Sequence, residues 1–503
     1  MRNLFALAIV AAAATVVQSA EPAVAFDGGD LSAALLGPGT GVIVGIVDSG
    51  VNSSHPLLAG TDSLGRPRLV AQANFVPTEP SNTGADVYGH GTAVAGLILG
   101  NGDVDGQNYD GMAPDARYVN ARVLDSTNGF DSTNQIVNGL QFALANGSNV
   151  INLSLATFST ESDGLSQLDL LVDYIADTRN VLVTVADGNN GTGQPAHSPG
   201  AAANALTLGA LTSDYSSVAP FSDTGPTSDG RMKPDMVAPG TSIVTANVNY
   251  QSGSLLSTWS GTSFAAPQAA GLAAQMIDYG QNHGLSIDTR VLRAVMMNAS
   301  DTVLGVNGTP WSNSPQMPLD VQQGTGRLDA VNAAHQYMAG QFNPGTVPDL
   351  GWSLHTIHGS STATTTTEQF SFASAPAVGT YIDATLIWNQ HVTIFNPGLP
   401  GVITPSTFLT ANPHDELDLY LYRDGVQVAS SISSVDTLQY IHFFVSQAGD
   451  YQLRIAQPVD VDSGETYSLA WSAVAVPEPT ALVLILLGTL LLPSLSNRRR
   501  RRD

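Results

Sequence analysis

The sequence predicts an α/β unit built on a mostly parallel central sheet, followed by a smaller all-β sandwich. Three observations carry that expectation. From about residue 41 to 335, short apolar runs alternate with amphipathic helical stretches, the pattern of a parallel sheet covered on both faces. Beyond residue 369 the apolar period falls to two, as in half-buried strands. Asp424-Gly425 stands between two of those runs, a strong hairpin signal.

The elements follow in chain order. "GVIVGIVDSG" is a continuous apolar run ending at Asp48, and "ARYVNARVLD" is a second. A helix is expected over 133–145, with Ile136, Val137, Leu140 and Leu144 on one face. "NVINLSLA", a helix through Leu168, Leu171 and Ile175, "NVLVTVADGNNG" and "ALTLGAL" continue the alternation. In open α/β sheets, sites form beyond the carboxyl ends of strands. Asp48 and Asn189 both lie at such ends. Residues 342–368 read as a linker and low-complexity loop, because "FNPGTVPD" and "GSSTATTTTE" hold turn and small polar residues. Residues 369–475 read as the sandwich, through "YIDATLIW", "LDLYLYRDGVQVASS", "YIHFFVS", "DYQLRIAQ" and "TYSLAWSAV". On this division the α/β unit, 26–341, should fold without the sandwich.

Composition narrows the class. Charged residues make up 12% of the 503, about half the usual share. The formal net charge is −24, so the body should repel nucleic acid and anionic membrane surfaces. There is no cysteine, which excludes a disulfide scaffold, a thiol nucleophile and zinc–thiolate sites. A chain this long can bury an ample core without such staples.

Both ends read as addresses. Residues 1–25 hold Arg2, an apolar run and small residues, as a secretory signal peptide does, with a cut after Ala20 or Ala25. Residues 476–503 hold Val476-Pro477-Glu478-Pro479, an apolar run from Ala481 to Leu492, and Arg498 to Arg502. That run is short for a spanning helix, and a plain C-terminal anchor is one reading. The three parts in order resemble the PEP-CTERM sorting signal of exported bacterial proteins. That resemblance implies transient membrane contact, sorting machinery as a partner, and a cell-surface or extracellular destination.

The chemistry centres on "WSGTSFAAPQAAGLAAQM" (259–276). Ser263 stands at the mouth of an apolar helix, just before Pro267. A helix cap explains such a serine. So does a nucleophile held beside backbone donors. A base is available at His90, between Gly89 and Gly91 in "VYGHGTAVAG", and an acid at Asp48 in "IVDSGV". Each residue alone has an ordinary structural reading. Their order, Asp48, His90, Ser263, is one of the three chain orders in which serine triads occur.

These blocks resemble the subtilisin-like serine proteases. "VDSGV", "GHGTAVAG" and "SGTSFAAPQAAG" match, as do "GMAPDARYVNARVLD", "VINLSL" and "KPDMVAPG", over roughly residues 41–335. The resemblance implies a three-layer fold, an exported serine endopeptidase acting on proteins or peptides, and catalysis by Asp48, His90 and Ser263 without a cofactor. It implies Asn189 as oxyanion donor, and a substrate strand along Gly129 and along Ser154, Leu155 and Ala156, with Asp187 and Gly188 near the specificity pocket. Asp187 departs from the family, which has a small neutral residue there. A carboxylate facing the oxyanion would oppose the developing charge, so Asp187 is expected to point away. Structural calcium is common in the family. "GNGDVDGQNYDG" offers Asp103, Asp105 and Asp110 as ligands, and "HDELDLY" (414–420) is a weaker candidate read as a sandwich edge. Only residues 21–40 or so separate the signal peptide from the first strand, too few for the prodomain many secreted relatives carry. Two other readings stay open: a scaffold or adhesion protein that has lost turnover, and acyl transfer in place of hydrolysis.

Overall fold

A computed structural model describes residues 29–79, 83–157, 162–358, 366–395, 408–413, 416–459 and 464–473. The signal peptide and the C-terminal tail, with its apolar run, lie outside them. Among the described residues no helix is long and apolar enough to cross a membrane.

The described residues start with α1 (Gly29–Leu36), β1 (Ile43–Asp48), β2 (Leu69–Asn74) and α2 (His90–Leu99). A small hairpin, β3 (Asp103–Val104) and β4 (Gln107–Asn108), precedes β5 (Arg117–Arg122). Then come α3 (Thr133–Ala145), β6 (Val150–Leu153), α4 (Gln167–Arg179), β7 (Leu182–Ala186), β8 (Leu206–Leu211) and β9 (Met236–Pro239). Seven strands form one parallel sheet in the order β2-β5-β1-β6-β7-β8-β9. The outer strands β2 and β9 were not legible in sequence. β2 is a half-exposed edge, and β9 is only four residues ending in proline.

Alternate residues of the inner strands feed two separate cores. Val44, Ile46 and Val150 pack with α2 and with a later helix, α5, that follows the short antiparallel pair β10 (Ile243–Ala246) and β11 (Leu256–Trp259). Val47, Ile151 and Leu153 pack with α3 and α4 on the opposite face. A sheet covered this way must be apolar at every position, which is why these strands read as unbroken runs. α5 (Ala266–His283) is buried nearly all round, and its small residues permit that. A Cβ on Gly271 would sit 2.3 Å from Met112 Cβ.

After α6 (Thr289–Asn298) and α7 (Ala330–Ala339), the chain forms β12 (Gly345–Val347), β13 (Leu350–Ile357), β14 (Thr366–Phe372), β15 (Tyr381–Ile387), β16 (Val392–Phe395), β17 (Phe408–Ala411), β18 (Glu416–Arg423), β19 (Val426–Ser431), β20 (Leu438–Phe444), β21 (Tyr451–Val459) and β22 (Glu465–Ser472). One sheet has the order β12-β14-β21-β18-β19 and the other β13-β22-β15-β20. Their facing sides share one core around Trp388, Leu419, Leu453 and Trp471. The Asp424-Gly425 turn has positive φ at both residues, 52° and 78°, as a two-residue hairpin of this kind requires.

The structure departs from the sequence reading in three places here. Residues 345–347 and 350–357, read as linker, are strands; β13 pairs with β22 along its whole length. Residues 366–368 of the expected loop already belong to β14. β18, read as an edge, lies between β21 and β19. Proline and glycine in "FNPGTVPD" masked the onset of the sandwich.

The seam between sandwich and α/β unit is also apolar. Trp352, Ile387, Leu438, Tyr440 and Ala470 belong to the same core as α5 and α6. Trp352 stacks on Tyr337 of α7 at 5.8 Å and donates its indole N–H to the Tyr337 carbonyl. Polar ties cross the same seam. Arg293 donates to Asn389 Oδ1 at 2.6 Å, and the Met232 N–H donates to the buried Asp436 carboxylate. At its rim His391 bridges Asp177 of α4 at 3.0 Å and Glu465 of β22 at 3.2 Å.

Two outcomes are expected. A fragment ending at residue 345 exposes the apolar side of α6 and α7, so it should aggregate or melt well below the full chain in circular dichroism; equal melting would show that the seam contributes nothing. The two carboxylates raise the His391 pKa to about 10. Its stabilisation is therefore complete below about pH 6.5 and lost as pH rises through about 10. His391→Ala should lower the melting temperature at pH 6 by a few degrees, with the gap closing above pH 10.

Candidate active site

The site lies at the carboxyl end of β1, where the neighbouring strands β5 and β6 run off to opposite sides. Such a switch point opens a crevice. Asp48 is the last residue of β1 and is fully buried. Its Oδ1 lies 2.8 Å from His90 Nδ1 and accepts the Ser49 N–H at 2.6 Å. His90 opens α2, which is brought hard against β1. A Cβ on Gly91 would lie 2.1 Å from the Gly50 carbonyl oxygen and 3.0 Å from Asp48 Oδ1. Gly89 has φ 112°, a conformation that favours glycine, and provides the turn into α2. Burial alone would lower the His90 pKa, but the Asp48 carboxylate outweighs it and the net direction is upward.

A residue the sequence reading missed holds this junction. The buried Asp86 accepts the Gly89 N–H at 2.7 Å, the Thr92 N–H at 2.9 Å and the Thr92 hydroxyl at 2.6 Å. It also accepts the Ser49 hydroxyl at 2.9 Å, whose oxygen in turn accepts the Gly91 N–H. Asp86 thus caps α2 from outside and ties it to β1. An acidic residue just before the glycine-flanked helix start was the available signal.

Ser263 lies in a short 3₁₀ turn, Thr262–Phe264, ahead of α5. Neither that turn nor α5 has a side-chain cap, so capping is not what this serine does. Its hydroxyl donates to the Ser154 carbonyl at 3.2 Å, and Ser154 returns a hydroxyl bond to the Ser263 carbonyl at 2.7 Å. The next residue, Phe264, meets the His90 ring edge-on at 5.4 Å, and Trp259 meets it at 6.1 Å. These rings wall the imidazole from two sides.

Asn189 is exposed at the end of the β7 loop. Its Oδ1 accepts the Thr262 N–H at 2.9 Å and the Thr262 hydroxyl at 3.2 Å. With the oxygen so occupied, the amide N–H₂ is left to donate outward. The loop is held by Asp223, the second residue missed. Asp223 accepts the Asn190 and Gly191 N–H groups at 2.5 and 2.9 Å and the Asn190 side chain at 2.9 Å. Gly188 has φ 129°, and a Cβ there would lie 2.0 Å from Asp223 Oδ2. Nothing local in "FSDTG" announces this contact; it joins residues 33 apart.

Of the other expected site residues, Ser154, bonded to Ser263, and Leu155 are buried and Ala156 is half-buried. A cavity of about 410 Å³ continues from there, lined by Phe130, Thr157, Gln167 and Leu168. Gly129 borders Phe130 in a loop closed onto Asp125. Asp187 is fully buried, and neither carboxylate oxygen has a hydrogen-bond partner. Burial and the nearby Asp223 raise its pKa well above the ordinary value. Burial thus favours the neutral acid over the carboxylate.

Asp103, Asp105 and Asp110 do not gather into one side-chain cluster. Asp105-Gly106 is the turn of the β3–β4 hairpin, with φ 53° and 81°, and Asp110 accepts the Gly102 N–H. Among the described residues no three acidic, histidine or cysteine side chains gather as a metal site. Residues 414 and 415 of the weaker candidate lie outside the described residues.

Residues 39–326 match the family model Peptidase_S8, the Subtilase family. The chain belongs to the subtilase family. Serine protease AprX of Bacillus subtilis (strain 168) is 32% identical over 291 residues, 52% of this chain and 62% of that protein. Subtilisin Savinase of Lederbergia lenta is 38% identical over 239 residues, 47% of this chain and 76% of that protein. M-protease of Shouchella clausii (strain KSM-K16) is 38% identical over 239 residues, 47% of this chain and 54% of that protein. The chain thus spans about half to three-fifths of several curated relatives it matches. A solved cold adapted subtilisin-like serine proteinase is 28% identical with a TM-score of 0.43, over 54% of this chain and 88% of that one.

A raised carboxylic acid costs stability as pH climbs above its unfolded value. Asp187→Ala, which removes the buried acid, should raise the melting temperature by a few degrees, with the gain growing from pH 4 upward. A gain that is flat with pH would mean that Asp187 does not retain its proton.

Proposed function

We propose that this chain is an exported serine endopeptidase that hydrolyses proteins or peptides through an acyl-enzyme. The observation that carries the reading is the buried His90–Asp48 pair at 2.8 Å, whose imidazole meets the ring of Phe264, the residue next to a serine that caps nothing. Asp48 fixes the His90 tautomer and stabilises its protonated form. For attack, the Ser263 hydroxyl leaves the Ser154 carbonyl and turns to His90 Nε2; such bonds often form only once substrate is bound. His90 takes the hydroxyl proton as Oγ adds to the peptide carbonyl, then gives it to the departing amine. His90 then takes a proton from water as the water oxygen adds to the acyl carbon, and returns it to Ser263 Oγ as the ester bond breaks and the acid leaves. Asn189 Nδ2 and the Ser263 N–H receive the oxyanion, with the asparagine held by Thr262 and its loop by Asp223.

Substrate lies extended along Ser154–Ala156 and the Gly129 loop, as an added strand. The 410 Å³ cavity takes one of its side chains. Asp187 and Gly188 stand behind the pocket that reads the residue at the scissile bond. The signal-like residues 1–25 and the tail 476–503 support export, with transient anchoring and sorting before a surface or extracellular destination.

The test is casein hydrolysis by residues 26–475. Ser263→Ala should abolish it, Asp48→Asn should lower kcat by about 10⁴, and Asn189→Ala by about 10²–10³, the loss seen when a subtilisin loses this donor. The acid limb of kcat/KM should lie above pH 6.5, because activity needs neutral His90 and Asp48 raises its pKa. A folded wild type that neither cleaves casein nor reacts with a fluorophosphonate would favour a scaffold role. Ligated peptide products would indicate transfer.

A further inference from the structure

A second concave site lies where the sandwich meets the α/β unit. It shares no residue with the cleft described above and does not rest on the protease reading. The cavity, about 830 Å³, has Asp301, Trp311 and Arg327 on one side and Tyr381 and His442 on the other.

Its sandwich wall is an aromatic strip. Tyr381 faces Phe444, and Asp383 faces His442, across the β15–β20 ladder. The pleat sends these side chains to the outer face while Ile382 and Ile441 enter the sandwich core. Tyr381 and His442 stack at 4.3 Å with planes 12° apart, and Phe444 meets Tyr381 edge-on at 5.3 Å. Trp311, from the α/β side, closes on His442 at 5.2 Å. Yet Tyr381 is 45% and Phe444 49% exposed, so the strip is assembled but left wet. Tyr381 thus offers an aromatic surface to the cavity, with Phe444 flanking it.

The charges in the cavity are already matched. Arg327 pairs with Asp301 at 3.0 Å. Asp383 holds His442 Nδ1 at 2.5 Å and the Tyr440 hydroxyl at 3.3 Å. The Asp301–Arg327 pair carries no net charge, so neither an anion nor a cation gains a net charge attraction there, and an uncharged ligand can bond both members with the pair intact. It needs a flat apolar face for Tyr381 and edge hydroxyls that both donate and accept, for an Asp–Arg pair with lone pairs and N–H groups to spare. A sugar ring has both. We propose that this cavity binds an uncharged carbohydrate, stacked on Tyr381 with its hydroxyls toward Asp301 and Arg327.

The experiment is retention of the full-length Ser263→Ala protein on insoluble cellulose, chitin and xylan. The expected result is retention on at least one, displaced by the matching soluble oligosaccharide and unchanged in high salt. Tyr381→Ala should weaken it about tenfold, Tyr381→Trp should preserve it, and Tyr381→Ala in the active chain should leave caseinolysis unchanged. No retention on any of the three polymers overturns the proposal. So does equal retention of Tyr381→Ala, or retention lost in salt, which would indicate charge-driven contact.

Discussion

The mouth of α2 must lie almost in contact with the end of β1. Only glycine at position 91 allows it, since a Cβ there would lie 2.1 Å from the Gly50 carbonyl. That approach puts an imidazole from one element against a carboxylate from another at 2.8 Å. The pair is buried, so each unsatisfied polar group around it costs stability. Asp86 and Ser49 satisfy the N–H groups at the mouth of α2, while Asp48 Oδ2 has no hydrogen-bond partner. The same logic recurs at the β7 loop, where Gly188 allows Asp223 to approach and to collect two backbone N–H groups. Both halves of the site are thus glycine-permitted contacts sealed by a buried aspartate.

The sandwich extends the α/β core. Its four-stranded sheet is apolar on both faces, toward the five-stranded sheet on one side and toward α6 and α7 on the other. This explains why runs such as "ATLIW" show little alternation. His391, Arg293 and Asp436 add charged or polar ties around that apolar seam. Apolar burial supplies the non-directional part of the attachment, and the buried bonds fix its register.

How far the sequence could be read depended on whether a signal was local. The inner strands were legible because burial on both faces makes an unbroken apolar run, and α3 and α4 because burial of one stripe imposes a helical period. The Asp424-Gly425 hairpin was legible because its turn requires positive φ. The edge strands β2 and β9 lack a strong period, and β13 hides behind proline and glycine. Asp103, Asp105 and Asp110 had a ligand-like spacing, but Asp105-Gly106 is also a two-residue hairpin turn, and pairing of the flanking strands gave it that form.

Residue type and order marked Asp48, His90 and Ser263 as candidates, and the family resemblance added Asn189. The sequence also supplied the α/β class, through hydrophobic period. It was silent on Asp86 and Asp223, on the unpartnered burial of Asp187, and on the aromatic strip beside Asp301 and Arg327. Those depend on which distant segments meet. The Asp223–Asn190 bond and the Trp311–His442 contact join residues 33 apart in one case and on two different units in the other. No local propensity encodes such a meeting; packing of the sheets and helices creates it.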